Sequence, residues 1–258
     1  MLRSLAGMPA DVTLCRMVTK LPPGLFITGT DTGVGKTYVT ARIAAAAVAD
    51  GKRVGVYKPA SSGCETIAQA RDSVEPARLV CDDANALWIA AGKPGELNNV
   101  CPQRFRAPLA PHLAARAEGR VVDPERLRSG IDYWRQRSDL VLVEGVGGLM
   151  SPISDDDYVA DLAYEWGYPL IVVAPNVIGV INQTLQTLIT AAAFQEGLPV
   201  AGVVLNQTTQ PDADTDPSIL SNRQELEQRC VPPILAQLGW EQLDFDPGID
   251  WYSLAAVA

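Results

Sequence analysis

A short glycine-rich segment constrains this chain more than any other feature. Residues 29–37 have the sequence Gly-Thr-Asp-Thr-Gly-Val-Gly-Lys-Thr, after a short apolar run and before an alanine-rich segment of helical character. A loop between a strand and a helix directs backbone N–H groups and the positive end of the helix dipole at an anion. Gly33 and Gly35 let the backbone approach a phosphate closely. Lys36 can reach the β- and γ-phosphates, and the Thr37 hydroxyl can ligate Mg²⁺. We therefore predict a site for a nucleoside triphosphate.

The segment departs from the G-x-x-x-x-G-K-T pattern in one place, because Thr30 stands where the first glycine is usual and Gly29 comes one residue earlier. Partitioning-type ATPases carry a signature lysine at the next position, where this chain has Asp31. GTPases recognise guanine with an Asn-Lys-x-Asp segment, and the comparable residues 206–209 are Asn-Gln-Thr-Thr. ATP is therefore favoured over GTP, and a P-loop ATPase of the partitioning or switch class remains the alternative function.

The rest of the chain alternates short apolar runs with helical patterns. Continuous apolar runs are typical of strands in a parallel sheet that is covered by helices on both faces. We predict an α/β fold: a single doubly wound, mostly parallel sheet with helices on both faces, of the P-loop NTPase type. The predicted strands are 25–28, 53–58, 140–144, 169–174 and 200–206, and the predicted helices are 36–50, 124–137, 158–166 and 181–195.

The length of 258 residues suits one large α/β domain. We place one P-loop ATP-binding domain at residues 24–258. Residues 1–23 carry three basic side chains and one acidic one. They have no long apolar core of the kind found in a secretory signal, and we expect a disordered N-terminal extension.

Composition excludes several classes of partner. The formal net charge is −9, which argues against broad binding to nucleic acid or to an anionic membrane surface. No apolar run approaches the roughly 18 residues that span a bilayer. The five cysteines are scattered and never form a C-x-x-C pair, a usage typical of a reducing compartment, so we expect a cytoplasmic protein.

Further polar residues end the predicted strands, where ligands of open parallel sheets bind. Lys58 ends the second strand and is either a solvated strand end or a second cation facing the phosphates. Glu144 ends the third strand and is either a Mg²⁺-organising carboxylate or a helix cap. Asp82 and Asp83 alone would be helix N-caps, but beside a phosphate loop one of them becomes a candidate metal ligand.

The only histidine, His112, lies in a proline-bounded loop that includes residues 107–112. A structural hydrogen-bonding role is favoured over general-base catalysis for it. No Ser/His/Asp or Cys/His arrangement indicates covalent catalysis. The loop after Lys58, shaped by Pro59 and Gly63, can present Ser61 or Ser62 to a substrate.

Taken together, these blocks resemble dethiobiotin synthetase over about residues 24–245. In chain order they are FITGTDTGVGKT, YKPASSG, Asp-Asp-Ala, Ala-Pro-His, VLVEGVGG, NVIGVIN and VVLNQ. The resemblance implies that ATP and Mg²⁺ drive closure of a ureido ring from carbon dioxide, or bicarbonate, and 7,8-diaminopelargonate through a phosphorylated carbamate. An amide-forming ligase of the cobyrinate type shares the fold, but it normally carries a glutaminase domain for which this chain has neither the length nor the Cys/His pair.

The resemblance also implies roles for individual residues. Lys36 and Lys58 would be catalytic, Thr37, Asp83 and Glu144 would organise Mg²⁺, and a homodimer would complete the active site. Asn206 would recognise the adenine edge, and the start of a helix in the partner subunit would hold the substrate carboxylate. The implied ATP-binding residues are Gly33, Val34, Gly35, Lys36, Thr37, Tyr38, Asp83, Glu144, Gly145, Val146, Gly147, Asn206, Gln207, Leu238, Gly239 and Trp240, and the implied substrate residues are Ser62, Gly179, Val180, Ile181 and Asn182.

Overall fold

The computed structural model describes residues 21–67 and 78–256, so all but the last three residues of the predicted N-terminal extension lie outside it. The strands are β1 Gly24–Gly29, β2 Val54–Tyr57, β3 Ala60–Ser61, β4 Glu65–Ile67, β5 Arg78–Val80, β6 Gln103–Arg104, β7 Leu140–Gly148, β8 Leu170–Pro175, β9 Val200–Asn206 and β10 Ile234–Leu238. The helices are α1 Lys36–Ala49, α2 Asp82–Ala90, α3 Leu97–Val100, α4 Pro111–Ala117, α5 Pro124–Arg135, α6 Val159–Trp166, α7 Val180–Ala193, α8 Asn222–Arg229 and α9 Trp251–Ala255, with a 3₁₀ turn at Pro217–Leu220.

The main sheet has six parallel strands in the order β10-β9-β8-β1-β7-β2. The chain moves from β1 to one side for β2 and β7, then crosses to the other side for β8, β9 and β10. This reversal places a topological switch point at β1, where the crevice outside the strand ends can receive a ligand. The phosphate loop follows β1 directly.

Apolar side chains cover both faces of this sheet. Along β8, Ile171 and Val173 belong to the large core, whereas Val172 and Ala174 belong to a second core that includes Leu226 of α8. Successive side chains of a strand point to opposite faces, so a strand buried on both sides is apolar throughout. The predicted doubly wound parallel sheet is confirmed.

Predicted and observed elements differ most at three places. The strand predicted at 140–144 continues to Gly148, although Gly147 has a φ of 67° and the pairing with β1 shifts register before Gly148. The edge strand β10 was not predicted, because its five residues alternate between buried and half-buried positions and lie after a polar stretch. The two-stranded sheets β3–β6 and β4–β5 also escaped prediction, since their strands are only two or three residues long.

Within the described ranges, no helix is long and apolar enough to cross a membrane. Cys64, Cys81, Cys101 and Cys230 are present as free thiols.

Candidate nucleotide and substrate site

The phosphate loop is built by backbone geometry. Gly33 and Gly35 have φ angles of 77° and 87°, in the left-handed region that favours glycine. A Cβ on Gly35 would also lie 2.1 Å from Nδ2 of Asn206, so no larger residue fits there without moving its neighbour. No side chain in the described part of the chain caps the start of α1. The first N–H groups of the helix are therefore available to an anion.

Lys36 extends back over this loop. Its side chain is buried, with the residue only 8% exposed, and its Nζ donates a hydrogen bond to the Asp31 carbonyl at 2.8 Å. Burial lowers the pKa of Lys36 to about 8, while the nearby Glu144 carboxylate acts in the opposite direction. A partly desolvated ammonium group without a direct carboxylate contact among the described residues is well placed to attract phosphate.

A second lysine lies at the centre of a buried network. Lys58 Nζ donates to Glu144 Oε1 at 2.5 Å and to Asp83 Oδ2 at 2.6 Å. Burial opposes the charge on Lys58, yet the two facing carboxylates raise its pKa above the usual value. Lys58 is 4% exposed, so its interpretation as a solvated strand end is wrong.

Glu144 joins this network to the phosphate loop. The Thr37 hydroxyl donates to Glu144 Oε1 at 2.8 Å, and the glutamate side chain is completely buried inside β7. A helix-capping role for Glu144 is therefore excluded. The helix-cap interpretation of Asp82 and Asp83 is also wrong, because the side chain at the N-cap of α2 is that of Cys81.

These residues fit a magnesium ion that is held mainly by phosphate and water. Glu144 Oε2 is buried and has no hydrogen-bond partner among the described residues, so one carboxylate oxygen is free to accept from a metal-bound water or to ligate a cation. Residues 21–67 and 78–256 contain no cluster of three or more acidic, histidine or cysteine side chains that could hold a metal alone. Mg²⁺ commonly binds through one or two protein oxygens plus substrate phosphates, which suits Thr37 and Glu144.

A pocket of about 620 Å³ opens above the network, between the phosphate loop and the loops after β2 and β7. Of the predicted site residues, those lining it are Gly33, Gly35, Lys36, Thr37, Lys58, Ser62, Asp83, Glu144, Gly145, Val146 and Gly147. Ser61, the alternative to Ser62 in the loop after Lys58, lines the pocket as well. Residues that sequence analysis did not assign to the site also line it, namely Thr32, Pro108, Leu109, Ala110, Pro111, Ser151 and Pro152. The Pro108–Pro111 wall was missed, because the proline-bounded loop 107–112 was singled out only for its histidine. His112 itself is absent from the described lining.

The residues predicted to contact the base lie on the other side of the phosphate loop. Leu238 pairs with Asn206 where β10 and β9 end, and Asn206 Nδ2 donates to the Val34 carbonyl at 3.1 Å. Asn206 Oδ1 is buried and lacks a hydrogen-bond partner within the described chain. Unlike the side-chain oxygen of Asn206, that of Gln207 has a partner, because it accepts a hydrogen bond from Asn176 Nδ2 at 3.3 Å.

Comparison with known proteins decides the family. An AAA domain model matches residues 23–244. The ATP-dependent dethiobiotin synthetase of Rhodopirellula baltica is 43% identical over 224 residues, covering 83% of this chain and 82% of that protein. The enzyme of the same name from Anaeromyxobacter dehalogenans strain 2CP-C is 42% identical over 218 residues, covering 84% and 90%. The chain belongs to the dethiobiotin synthetase family. It is therefore an ATP-dependent ligase of biotin synthesis, with a P-loop nucleotide-binding fold.

Solved structures confirm the fold. A ParA family ATPase from Chlorobium tepidum TLS superposes with a TM-score of 0.50 at 13% identity, covering 86% of this chain and 85% of the ATPase. At that identity the likeness concerns the arrangement of strands and helices alone.

Tyr38, which the resemblance implies as an ATP-binding residue, has a defined side-chain contact. Its hydroxyl donates to the Gln242 carbonyl at 2.5 Å. The Gln242 side chain in turn accepts from the Gly239 N–H at 2.9 Å and donates to the Asp244 carbonyl at 2.7 Å. Tyr38 thus ties α1 to the turn that carries Trp240, whose side chain is 45% exposed.

We expect Tyr38→Phe to weaken ATP use without slowing the chemical step. Loss of one hydrogen bond of about 1 kcal/mol would raise the KM for ATP by roughly fivefold and leave kcat unchanged. Steady-state kinetics with ATP as the varied substrate measures the KM for ATP and kcat separately. Tyr164→Phe is the matched control, since its exposed hydroxyl bonds Glu196 on the surface. An unchanged KM in Tyr38→Phe would show that the turn does not depend on this contact.

The helix start predicted to hold a substrate carboxylate lies apart from the pocket. Gly179 is the N-cap of α7 with a φ angle of 92°, followed by buried Val180, half-buried Ile181 and exposed Asn182. None of these four residues lines the pocket in the described chain. The neighbouring Ile178 side chain is 77% exposed. Within one chain, this segment therefore does not contribute to the lining of the pocket.

Proposed function

We propose that this chain closes the ureido ring of dethiobiotin from 7,8-diaminopelargonate and carbon dioxide, with ATP as co-substrate. The observation that carries the proposal is the convergence of two buried lysines, Lys36 and Lys58, on one pocket whose mouth bears Ser62. Family membership indicates the reaction class. The two lysine ammonium groups in this pocket support the proposal, because a carbamate and a γ-phosphate are both anions and must be held next to each other.

The chemistry needs no protein nucleophile. One substrate amine attacks carbon dioxide, and its nitrogen loses a proton to give a carbamate. A carbamate oxygen then attacks the γ-phosphorus, the bond to the bridging oxygen breaks, and ADP leaves. The second amine attacks the carbamate carbon, phosphate leaves, and the five-membered ring closes. Lys36 and Lys58 would disperse the negative charge that gathers at the phosphoryl group and the carbamate.

Thr37, Glu144 and Asp83 would hold Mg²⁺ in this reaction. When bound, the ion neutralises charge on the β- and γ-phosphate oxygens. Asp83 already contacts Lys58, and its side chain is 46% exposed, so it can reorient toward a water shell. The Thr37–Glu144 hydrogen bond holds both side chains at the end of the phosphate loop.

The nucleotide would extend from the phosphate loop across Asn206. The unpartnered Asn206 Oδ1 is an acceptor suited to the exocyclic amine of adenine, and Leu238, Gly239 and Trp240 follow at the end of the adjacent strand. Tyr38 would support this region through the hydrogen bond from its hydroxyl to the Gln242 carbonyl. Gln207 would support it through the hydrogen bond from its backbone N–H to the Leu238 carbonyl.

We further propose a homodimer in which the helix start 179–182 of one subunit meets the substrate of the other. The exposed N-terminus of α7 favours an anion such as the substrate carboxylate. Exposed Met150 lines the same polar groove as Asn182, and exposed Ile178 precedes α7; a partner would cover them. A cytoplasmic location, without nucleic-acid or membrane partners, follows only from the composition.

Release of ADP tests the proposed reaction. We expect turnover to need the diamine, bicarbonate and Mg²⁺ together, and to stop when EDTA removes the metal. Matched reactions replace the diamine with duplex DNA, anionic lipid vesicles or glutamine. Stimulation by DNA or lipid alone would favour the partitioning-type alternative, and stimulation by glutamine would favour an amide ligase. Mass spectrometry of the product should show the ureido ring.

A further inference from the structure

Two cysteines face each other beside the pocket. The strands β4 and β5 are antiparallel, with Glu65 opposite Val80. The next pair in the same register is Cys64 and Cys81, immediately beyond the ladder. Residues opposite each other in such a ladder have Cα atoms about 4.5–5.5 Å apart, within the range that disulfides span.

Their side chains point toward a shared centre. The Cys81 thiol donates to Ser61 Oγ at 3.0 Å, and the Cys64 thiol donates to the Ser61 carbonyl at 3.7 Å. The β4–β5 register and the shared contacts with Ser61 therefore bring the two side chains to the same place.

Solvent reaches the pair through a narrow cleft. Cys64 and Cys81 are 6% and 3% exposed, and both line a cavity of about 220 Å³ between the loop after β3 and the start of α2. Cys101 is completely buried and does not line this cavity. A small oxidant has access to Cys64 and Cys81 and not to Cys101.

We propose that Cys64 and Cys81 are a disulfide-forming pair that responds to a small two-electron oxidant such as hydrogen peroxide. One thiol attacks the peroxide, the O–O bond breaks, and a sulfenic acid and water form. The other thiol attacks the sulfenic sulfur, a second water leaves, and the S–S bond closes. Two thiols lose two electrons and two protons, and the peroxide is reduced to two waters.

A Cys64–Cys81 disulfide would alter the site, because each cysteine is close in sequence to a site residue. Ser62 lies two positions before Cys64, and Asp83 lies two positions after Cys81. An S–S distance of about 2.05 Å draws Cys81 away from Ser61 Oγ and from the Ala84 N–H that it caps at 3.4 Å. The first turn of α2, including Asp83, would shift with it. We expect oxidation to lower kcat/KM by about tenfold or more, since small misplacements near reacting atoms are costly.

The test is peroxide treatment of the full chain, followed by peptide mass mapping without reductant and by activity assay. We expect a Cys64–Cys81 linked peptide, loss of activity in parallel with its formation, and recovery of both with dithiothreitol. Cys64→Ser should have the untreated activity of the wild type and resist inactivation, with Cys64→Ala as a second variant if the serine disturbs folding. Cys230→Ser, at the end of α8, should behave as the wild type.

Absence of the linked peptide, or a bridge through Cys101, would overturn the proposal, as would equal inactivation of the wild type and both Cys64 variants. Peptide mapping needs no catalytic activity. If the untreated wild type showed no ligase activity, this result would count against the proposed ligase reaction. The peptide map would still test the disulfide.

Discussion

Lys36→Ala should reduce ligase turnover by about a thousandfold or more while the protein stays folded. Phosphoryl transfer depends on positioned cations, and the lysine of a phosphate loop faces the transferring group. Lys36 contacts only the Asp31 carbonyl by a direct hydrogen bond in the described chain, and burial disfavours its charge, so removing it leaves no buried partner charge behind. Steady-state ADP release and a thermal melt, measured side by side, separate loss of catalysis from loss of fold.

Lys52→Ala is the matched control for this change. Lys52 follows the far end of α1 and lies over the Tyr252 ring at 4.1 Å. We expect wild-type turnover with a small loss of stability. If Lys36→Ala retained activity, the phosphate loop would not be the site of ATP use. An equal loss in both variants would mean that removing any lysine from this region disturbs the enzyme.

Glu144→Gln and Glu144→Ala should both abolish detectable turnover but differ in stability. Glutamine keeps an oxygen for Thr37 and Lys58 while removing the charge that would organise Mg²⁺. Both substitutions break the buried ion pair with Lys58, which costs about 3–5 kcal/mol. Alanine also removes the acceptor for Thr37 and Lys58, so it should be the less stable of the two variants. Turnover assays and urea unfolding of both variants measure the two effects.

A neutral glutamine variant with near-normal turnover would contradict the role of Glu144 in metal organisation. Equal stability of the two variants would show that the side-chain oxygen retained by glutamine does not support Lys58 or Thr37. Glu165→Gln serves as a control for carboxylate removal, because this half-exposed residue of α6 pairs with Arg128 on the surface. We expect it to retain full turnover.

The fold was predictable because its signals are local. Apolar runs marked five of the six strands of the main sheet, and the glycine-rich loop between a strand and a helix identified the nucleotide-binding type. The edge strand β10 and the two small sheets were missed. Their stability comes from neighbours distant in sequence, such as Asn206 beside Leu238, which no local pattern records.

The site was predictable residue by residue but not as an arrangement. Strand ends pointed to Lys58 and Glu144, but either could have been a solvated end or a cap. Their roles in one buried network depend on β1, β2 and β7 lying side by side, which local sequence cannot show. The Pro108–Pro111 wall was missed because prolines and leucine carry no chemical signature of a pocket.

The sequence by itself determined the phosphate loop, the parallel α/β fold and the family, because glycine spacing, apolar periodicity and ordered motifs are properties of neighbouring residues. Only the tertiary structure decided which polar residues meet. It placed Lys58 between Glu144 and Asp83, left one oxygen of Glu144 without a hydrogen-bond partner among the described residues, and gave Tyr38 a contact with Gln242. The register of β4 and β5, continued by one pair, also brings Cys64 opposite Cys81. These residue pairs are 17 to 204 positions apart in the sequence, and only the packing of strands and helices brings them together.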